Sequence, residues 1–208
     1  MAVHQPTHRS SHHLPSLRRD RAVPEAKAAG SARAGTLTAR ACVLASARVL
    51  MGFVFLWAFL DKTFGLGYAT ASGKGWIDGG SPTEGFLGHV AVGPMQSTFH
   101  AWAGAAWADG LFMLGLLGIG AALVAGVALR PAALAGTVMM ALMWVAEWPP
   151  ARHLSDGSAS MSTNPFADYH LIYAVVLIAL ATVSAGDVLG LGRLWARLPV
   201  VRGHAWLR

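Results

Sequence analysis

The strongest constraint on the fold is a set of four apolar runs, at residues 41–60, 110–129, 131–148 and 169–186. The second, Gly110–Leu129, contains no charged side chain, and the first and third carry one each, Arg48 and Glu147. A helix advances about 1.5 Å per residue, so roughly 17–25 apolar residues cross the hydrocarbon of a bilayer. None of the runs alternates apolar and polar residues as a barrel strand does. The expected fold is all-α: an integral membrane four-helix bundle. Composition agrees, because charged residues make up 12% of the chain, against about 25% in soluble domains. The 54% hydrophobic content excludes disorder over the whole length, and the lone Cys42 excludes a disulfide framework.

Residues 1–38 differ from the rest. They carry Arg9, Arg18, Arg19, Arg21, Lys27 and Arg33 and no aromatic side chain, which predicts a disordered basic cytoplasmic tail. Its length does not suit the short basic region of a secretory signal, so the first apolar run is read as a retained span. A transmembrane domain then covers 39–195, and a basic cytoplasmic C-terminal tail covers 196–208. The N-terminal segment through Arg40, Arg130, and the C-terminal Arg193, Arg197, Arg202 and Arg208 make twelve cations on one side, against Lys62, Lys74 and Arg152 on the other. That imbalance places both termini in the cytoplasm, with the protein in the inner (plasma) membrane. The basic charge is matched to anionic lipid headgroups rather than to nucleic acid.

The loop between the first two spans contains Ser81-Pro82-Thr83-Glu84, the pattern of a capping box. Phe86, Leu87 and Val90 follow at helical spacing, and a second start at Gly93-Pro94 leads into Met95, Phe99 and Trp102. Two short helices lying on the outer membrane surface are expected. Gly118, Ala122 and Gly126 form a small-residue stripe that suits close approach of a neighbouring helix. Trp57, Trp102, Trp107, Trp144 and Trp148 suit an outer aromatic belt.

Ionisable groups gather where the spans end: Asp61, Lys62, Asp109, Glu147, Asp168 and His170 on the outer side. Glu147 is the most informative, since a carboxylate beside hydrocarbon must be paired, protonated or turned toward the interior or the interface. His170 shares a helical face with Tyr173. Glu147, His170 and Tyr173 at one depth would supply a proton donor, a proton acceptor and a hydrogen bond to a lipid-soluble carbonyl ligand such as a quinone. They would equally serve as a structural network capping the bundle. Arg48 and Asp187 are candidates for a structural ion pair near the inner face.

Other chemistries find no support in the chain. His4, His8 and His12 lie in the tail and suggest at most weak metal affinity, so no metal site is expected. Only His170 lies in a span, and no C-x-x-C-H attachment motif occurs, so haem is not expected. One thiol cannot form the internal disulfide of a quinone-linked thiol oxidase. Nucleotide-binding motifs are absent.

The stretches RVLMGFVFLWAFLDKTFG (48–65), GGSPTEGFLGH (79–89), LGLLGIGAALVAGVALRPAA (114–133) and NPFADYH (164–170) resemble the DoxX/DoxD family of small bacterial membrane proteins, most closely its DoxD-type members. The resemblance covers about residues 40–195. It implies four transmembrane helices and, for DoxD, the small subunit of a thiosulfate:quinone oxidoreductase that works with a second protein subunit. It transfers no catalytic motif residue by residue. On this basis the chain is expected to be a membrane subunit of a quinone-linked redox complex. Glu147 and His170 would be the catalytic proton carriers, Tyr173, Trp148 and Asp168 would bind the quinone, and Lys62 would attract an anionic donor such as thiosulfate. A non-catalytic scaffold for partner proteins is the alternative. A small-solute transporter is the weaker one, since no span is broken in its middle and no inverted repeat is apparent.

Overall fold

The structure, a computed structural model, describes the backbone of Met1 and residues 23–208 and the side chains of Met1 and residues 39–208. Two compact units are distinguished, residues 1–39 and 40–208. In the first, the backbone is helical from Val23 onward. Residues 23–38 are therefore helical where a disordered tail was expected. Pro24 at the start and repeated alanines thereafter explain this, since both suit a helix in those positions. The remainder of that tail, including His4, His8 and His12, lies outside the described residues.

Eight α-helices occur among the described residues: α1 Val23–Phe64, α2 Glu84–Leu87, α3 Gln96–Trp102, α4 Ala106–Ala125, α5 Leu129–Glu147, α6 Tyr169–Thr182, α7 Gly192–Trp195 and α8 Pro199–Arg202. No β-strand occurs among the described residues, only an isolated bridge between His153 and Ala159. Three helical stretches are long and apolar enough to cross a membrane: Ala39–Phe64 in α1, α4 and α5. The fourth expected span is shorter than 169–186. Helix α6 has 14 residues, about 21 Å at 1.5 Å per residue, and ends where Val183 and Ser184 leave helical geometry.

Within residues 40–208, helices α1, α4, α5 and α6 share one apolar core. Met51 and Phe55 of α1 meet Met113, Leu116, Ile119 and Leu123 of α4, with Met140 of α5 and Leu177 and Leu180 of α6. Large apolar side chains also cover the outside of the helices: Leu111, Leu114, Leu134, Ile172 and Val175 are all exposed. Helices apolar on every side suit a lipid surround, where exposed leucine carries no hydration cost.

Close packing of α1 on α4 depends on glycine, at a register other than the expected stripe. A Cβ on Gly120 would lie 2.8 Å from the Leu56 amide nitrogen, and one on Gly52 would lie 2.9 Å from that of Val124. Gly118, the first member of the expected stripe, faces open space instead. Gly126, its last member, adopts φ 74 and closes α4. Its N–H donates to Leu123 O at 3.2 Å, and the Val127 N–H donates to Ala122 O at 3.0 Å, the paired bonds of a Schellman ending.

Arg48 completes that helix end. It is fully buried, and its Nη1 donates to the carbonyls of Leu123 and Val124 while Nη2 donates to Leu189 O at 2.9 Å. The Leu191 N–H takes the remaining Ala125 carbonyl at 2.8 Å. The last four carbonyls of α4, which no helical amide can reach, are thus all satisfied. The guanidinium also sits at the negative end of the α4 macrodipole. The expected ion pair is absent: among the described residues Arg48 pairs with no carboxylate, and Asp187 is exposed. Backbone carbonyls meet the need that Asp187 was expected to fill.

The segment after α6 folds against the start of α5. The Arg130 N–H donates to Arg208 O and its Nη1 to Ala205 O, both at 2.8 Å, and Trp195 Nε1 donates to Leu207 O at 2.6 Å.

At the opposite end, the long loop after α1 is built on two aspartates. Asp61, almost wholly buried, accepts from the amides of Tyr68 at 3.3 Å and Thr70 at 2.8 Å, fixing the turn out of α1. Asp109, on the first turns of α4, accepts from Ser81 Oγ at 2.9 Å, Thr83 N at 3.0 Å and Thr83 Oγ1 at 2.6 Å. The Ser81 hydroxyl oxygen also accepts from the Glu84 amide at 3.1 Å, the first half of the expected capping box. Both short helices exist, but they pack on the protein itself. Phe99 of α3 and Val90 are buried against Ala146 near the end of α5, with Phe86, Leu87 and Trp102 around them.

Candidate functional site

Helix α5 ends at Glu147 and α6 begins at Tyr169, so the two helices that pack side by side bring their loop ends together. Asp168 is the N-cap of α6. Its Oδ1 accepts from the Leu171 amide at 3.1 Å, and its Oδ2 accepts from His170 Nδ1 at 2.7 Å. One carboxylate thereby starts the helix and fixes the imidazole two residues on. His170 is fully buried, and its Nε2 has no hydrogen-bond partner. Its Nδ1 also lies 3.9 Å from Glu147 Oε2. The Tyr169 hydroxyl donates to Glu147 Oε1 at 2.8 Å, and the Tyr169 and His170 rings stack with centroids 3.9 Å apart.

The result is a four-residue cluster from two helices. Among the described residues neither carboxylate pairs with Lys or Arg, and the His170 imidazole is the basic group beside them. Glu147 keeps 38% of its side chain exposed and Asp168 keeps 14%, so the cluster is reachable from outside. Both line a cavity of about 490 Å³ with mixed polar and apolar walls, together with Tyr169, His89, Ser162, Asn164 and Phe86.

The loop joining α5 to α6 roofs this cavity. Trp144 Nε1 donates to Phe166 O at 3.1 Å and Ser162 Oγ to Pro149 O at 2.8 Å. Ser155 bonds to Ala91 O through both its amide and its hydroxyl, tying this loop to the one after α1. Within it, the Ser158 hydroxyl and amide both donate to Asp156 Oδ1, at 2.6 and 2.9 Å, and hold the Asp156 carboxyl below its usual range.

A second cavity, about 360 Å³ and almost wholly apolar, lies between α4 and α5 beneath α2 and α3. Trp102, Trp107, Phe112, Met139 and Met143 are among its walls, and Phe86 borders both cavities. Met143 and Glu147 are one turn apart on α5, so the apolar and polar spaces follow one helix face.

Three of the expected residues, Glu147, Asp168 and His170, come together, and the others do not join them. Tyr173 packs against the core and meets Tyr169 edge-to-face at 5.9 Å, and it lines neither cavity. Trp148 caps α5 with φ 41, its Cβ close to Gly93, and likewise lines neither. Lys62 lies away from the cluster on α1, its Nζ 6.0 Å from the centroid of Phe112, which lines the apolar cavity. The residue that sequence reasoning missed is Tyr169. Helical spacing from His170 points to Tyr173, but at a helix start the adjacent residue can turn back across the preceding helix end. Comparison of the chain with known protein families, curated proteins and solved structures found no match.

Proposed function

We propose that this chain is a four-helix membrane subunit of a quinone-linked redox complex, of the thiosulfate:quinone oxidoreductase kind. Helix α6 with its flanking residues would be the fourth span, and both termini would face the cytoplasm of a bacterial plasma membrane. The observation that carries the reading is the joining of two hydrogen-bonded pairs, Tyr169–Glu147 and His170–Asp168, at one cavity. A carboxylate and an imidazole held by oriented partners can take up and release the protons that accompany quinone reduction. The adjoining apolar cavity has the size and lining of a site for a lipophilic ring. The stretches that resemble the DoxD-type proteins add support, and a second protein subunit would bring the electron donor.

Quinone content after purification in mild detergent, normalised to lipid, tests this directly. Wild type is expected to be enriched above its lipid, and the Glu147→Gln/His170→Ala double variant is expected to fall to the lipid level. Equal, lipid-level quinone in both proteins would overturn the proposal and favour a scaffold for partner proteins.

A further inference from the structure

We infer that Glu147, Asp168 and His170 bind one divalent first-row transition-metal ion, with Zn²⁺ as the representative. One donor atom from each residue lies within 4.8 Å of the others. An ion held at about 2.1 Å in tetrahedral geometry needs donors about 3.4 Å apart. The His170 Nδ1 separations of 2.7 Å from Asp168 and 3.9 Å from Glu147 lie on either side of that spacing.

Two further observations point to a ligand. His170 is wholly enclosed and presents Nδ1, the ring nitrogen next to both carboxylates, to the site. Both carboxylates line the 490 Å³ cavity, which gives an ion a way in. Charge agrees as well: two carboxylates beside an apolar bundle lack a Lys or Arg partner among the described residues, and one divalent ion neutralises both. A set of one imidazole and two carboxylates suits Zn²⁺ or Mn²⁺. Ca²⁺ prefers oxygen alone and Cu(I) prefers sulfur. On binding, the ion replaces the proton at Nδ1, and the neutral imidazole carries its one ring proton on Nε2.

This inference stands apart from the quinone proposal, because Zn²⁺ binding is measured with no quinone present and quinone content is measured on chelator-treated protein. The full-length chain in detergent, stripped with chelator, is titrated with Zn²⁺ by calorimetry. One ion per chain is expected, with affinity weakened about tenfold or more in Glu147→Gln and in Asp168→Asn. A variant with His4, His8, His12 and His13 changed to Gln should bind as wild type does. X-ray absorption of Zn²⁺-loaded wild type should show one imidazole nitrogen with oxygen donors, a result independent of how the variants fold. The inference is overturned by absence of binding, by binding that both cluster variants retain, or by a spectrum showing several imidazoles or sulfur.

Discussion

The two ends of the helical core handle buried charge in opposite ways. At the end of α4, Arg48 is fully enclosed and donates only to backbone carbonyls. At the end of α5, Glu147, Asp168, His170 and Tyr169 are joined through side chains, and three of them line a cavity. The first arrangement commits both terminal nitrogens of the guanidinium to the backbone. The second keeps carboxylate oxygens within reach of solvent. A charge fixed by backbone serves the fold, whereas a charge fixed by other side chains can exchange partners, and this is why function is sought at the second end.

The largest effect should follow from Arg48→Ala, which takes from the Val124 and Leu189 carbonyls the donor they share and leaves Leu123 O with the Gly126 N–H alone. A loss of about 3 kcal/mol or more is expected, seen as a large drop in thermal unfolding temperature in detergent. Arg48→Lys should recover only part of it, because one ammonium cannot span three carbonyls on two segments. Gly126→Ala comes next: a Cβ there would lie 2.7 Å from Arg48 Nη1 at φ 74, and about 1–3 kcal/mol should be lost in the same assay. If Arg48→Ala unfolds no earlier than wild type, the contrast between the ends fails.

At the other end the stability effects should be smaller. Asp168→Ala removes the cap of α6 and the His170 hydrogen bond and should cost about 1–2 kcal/mol. Glu147→Gln keeps an acceptor for Tyr169 and should stay within about 0.5 kcal/mol in unfolding, while quinone enrichment falls. Gly118→Ala should be smallest of all. Its Cβ meets open space, so helix propensity alone predicts a gain of up to about 1 kcal/mol.

Sequence periodicity captures a property only when one helix suffices to define it. The apolar runs gave three spanning helices, and the capping pattern at Ser81 gave the start of a short one. Composition also picked out Glu147 and His170, because charge within apolar sequence is conspicuous. What escaped depended on two elements meeting. Asp187 is an obvious electrostatic partner for Arg48 on paper, but the competing carbonyls of α4 have no sequence signature. The stripe of small residues at four-residue spacing was real, yet the contact with α1 used Gly120, which only the rotation of α4 about its axis decides. Tyr169 was passed over for the same reason, since its partner lies 22 positions earlier in the chain. The length of α6 was overestimated because Val183 to Gly186 is apolar enough to continue a helix but turns away from one.

The bonding of Arg48 bears on the order in which the protein is made. Helix α1 is synthesised first, and it reaches the membrane with an arginine whose acceptors have not yet been translated. Until α4 emerges, that side chain must stay hydrated or reach toward headgroups, so α1 cannot take up its final depth alone. Two of the three carbonyls that receive the guanidinium arrive some 75 residues later, after the whole loop between α1 and α4, and the third, that of Leu189, 141 residues later. The Arg48 side chain thus waits first on α4 and then on the segment after α6, and a nascent chain halted before Leu123 should leave its first helix labile to extraction.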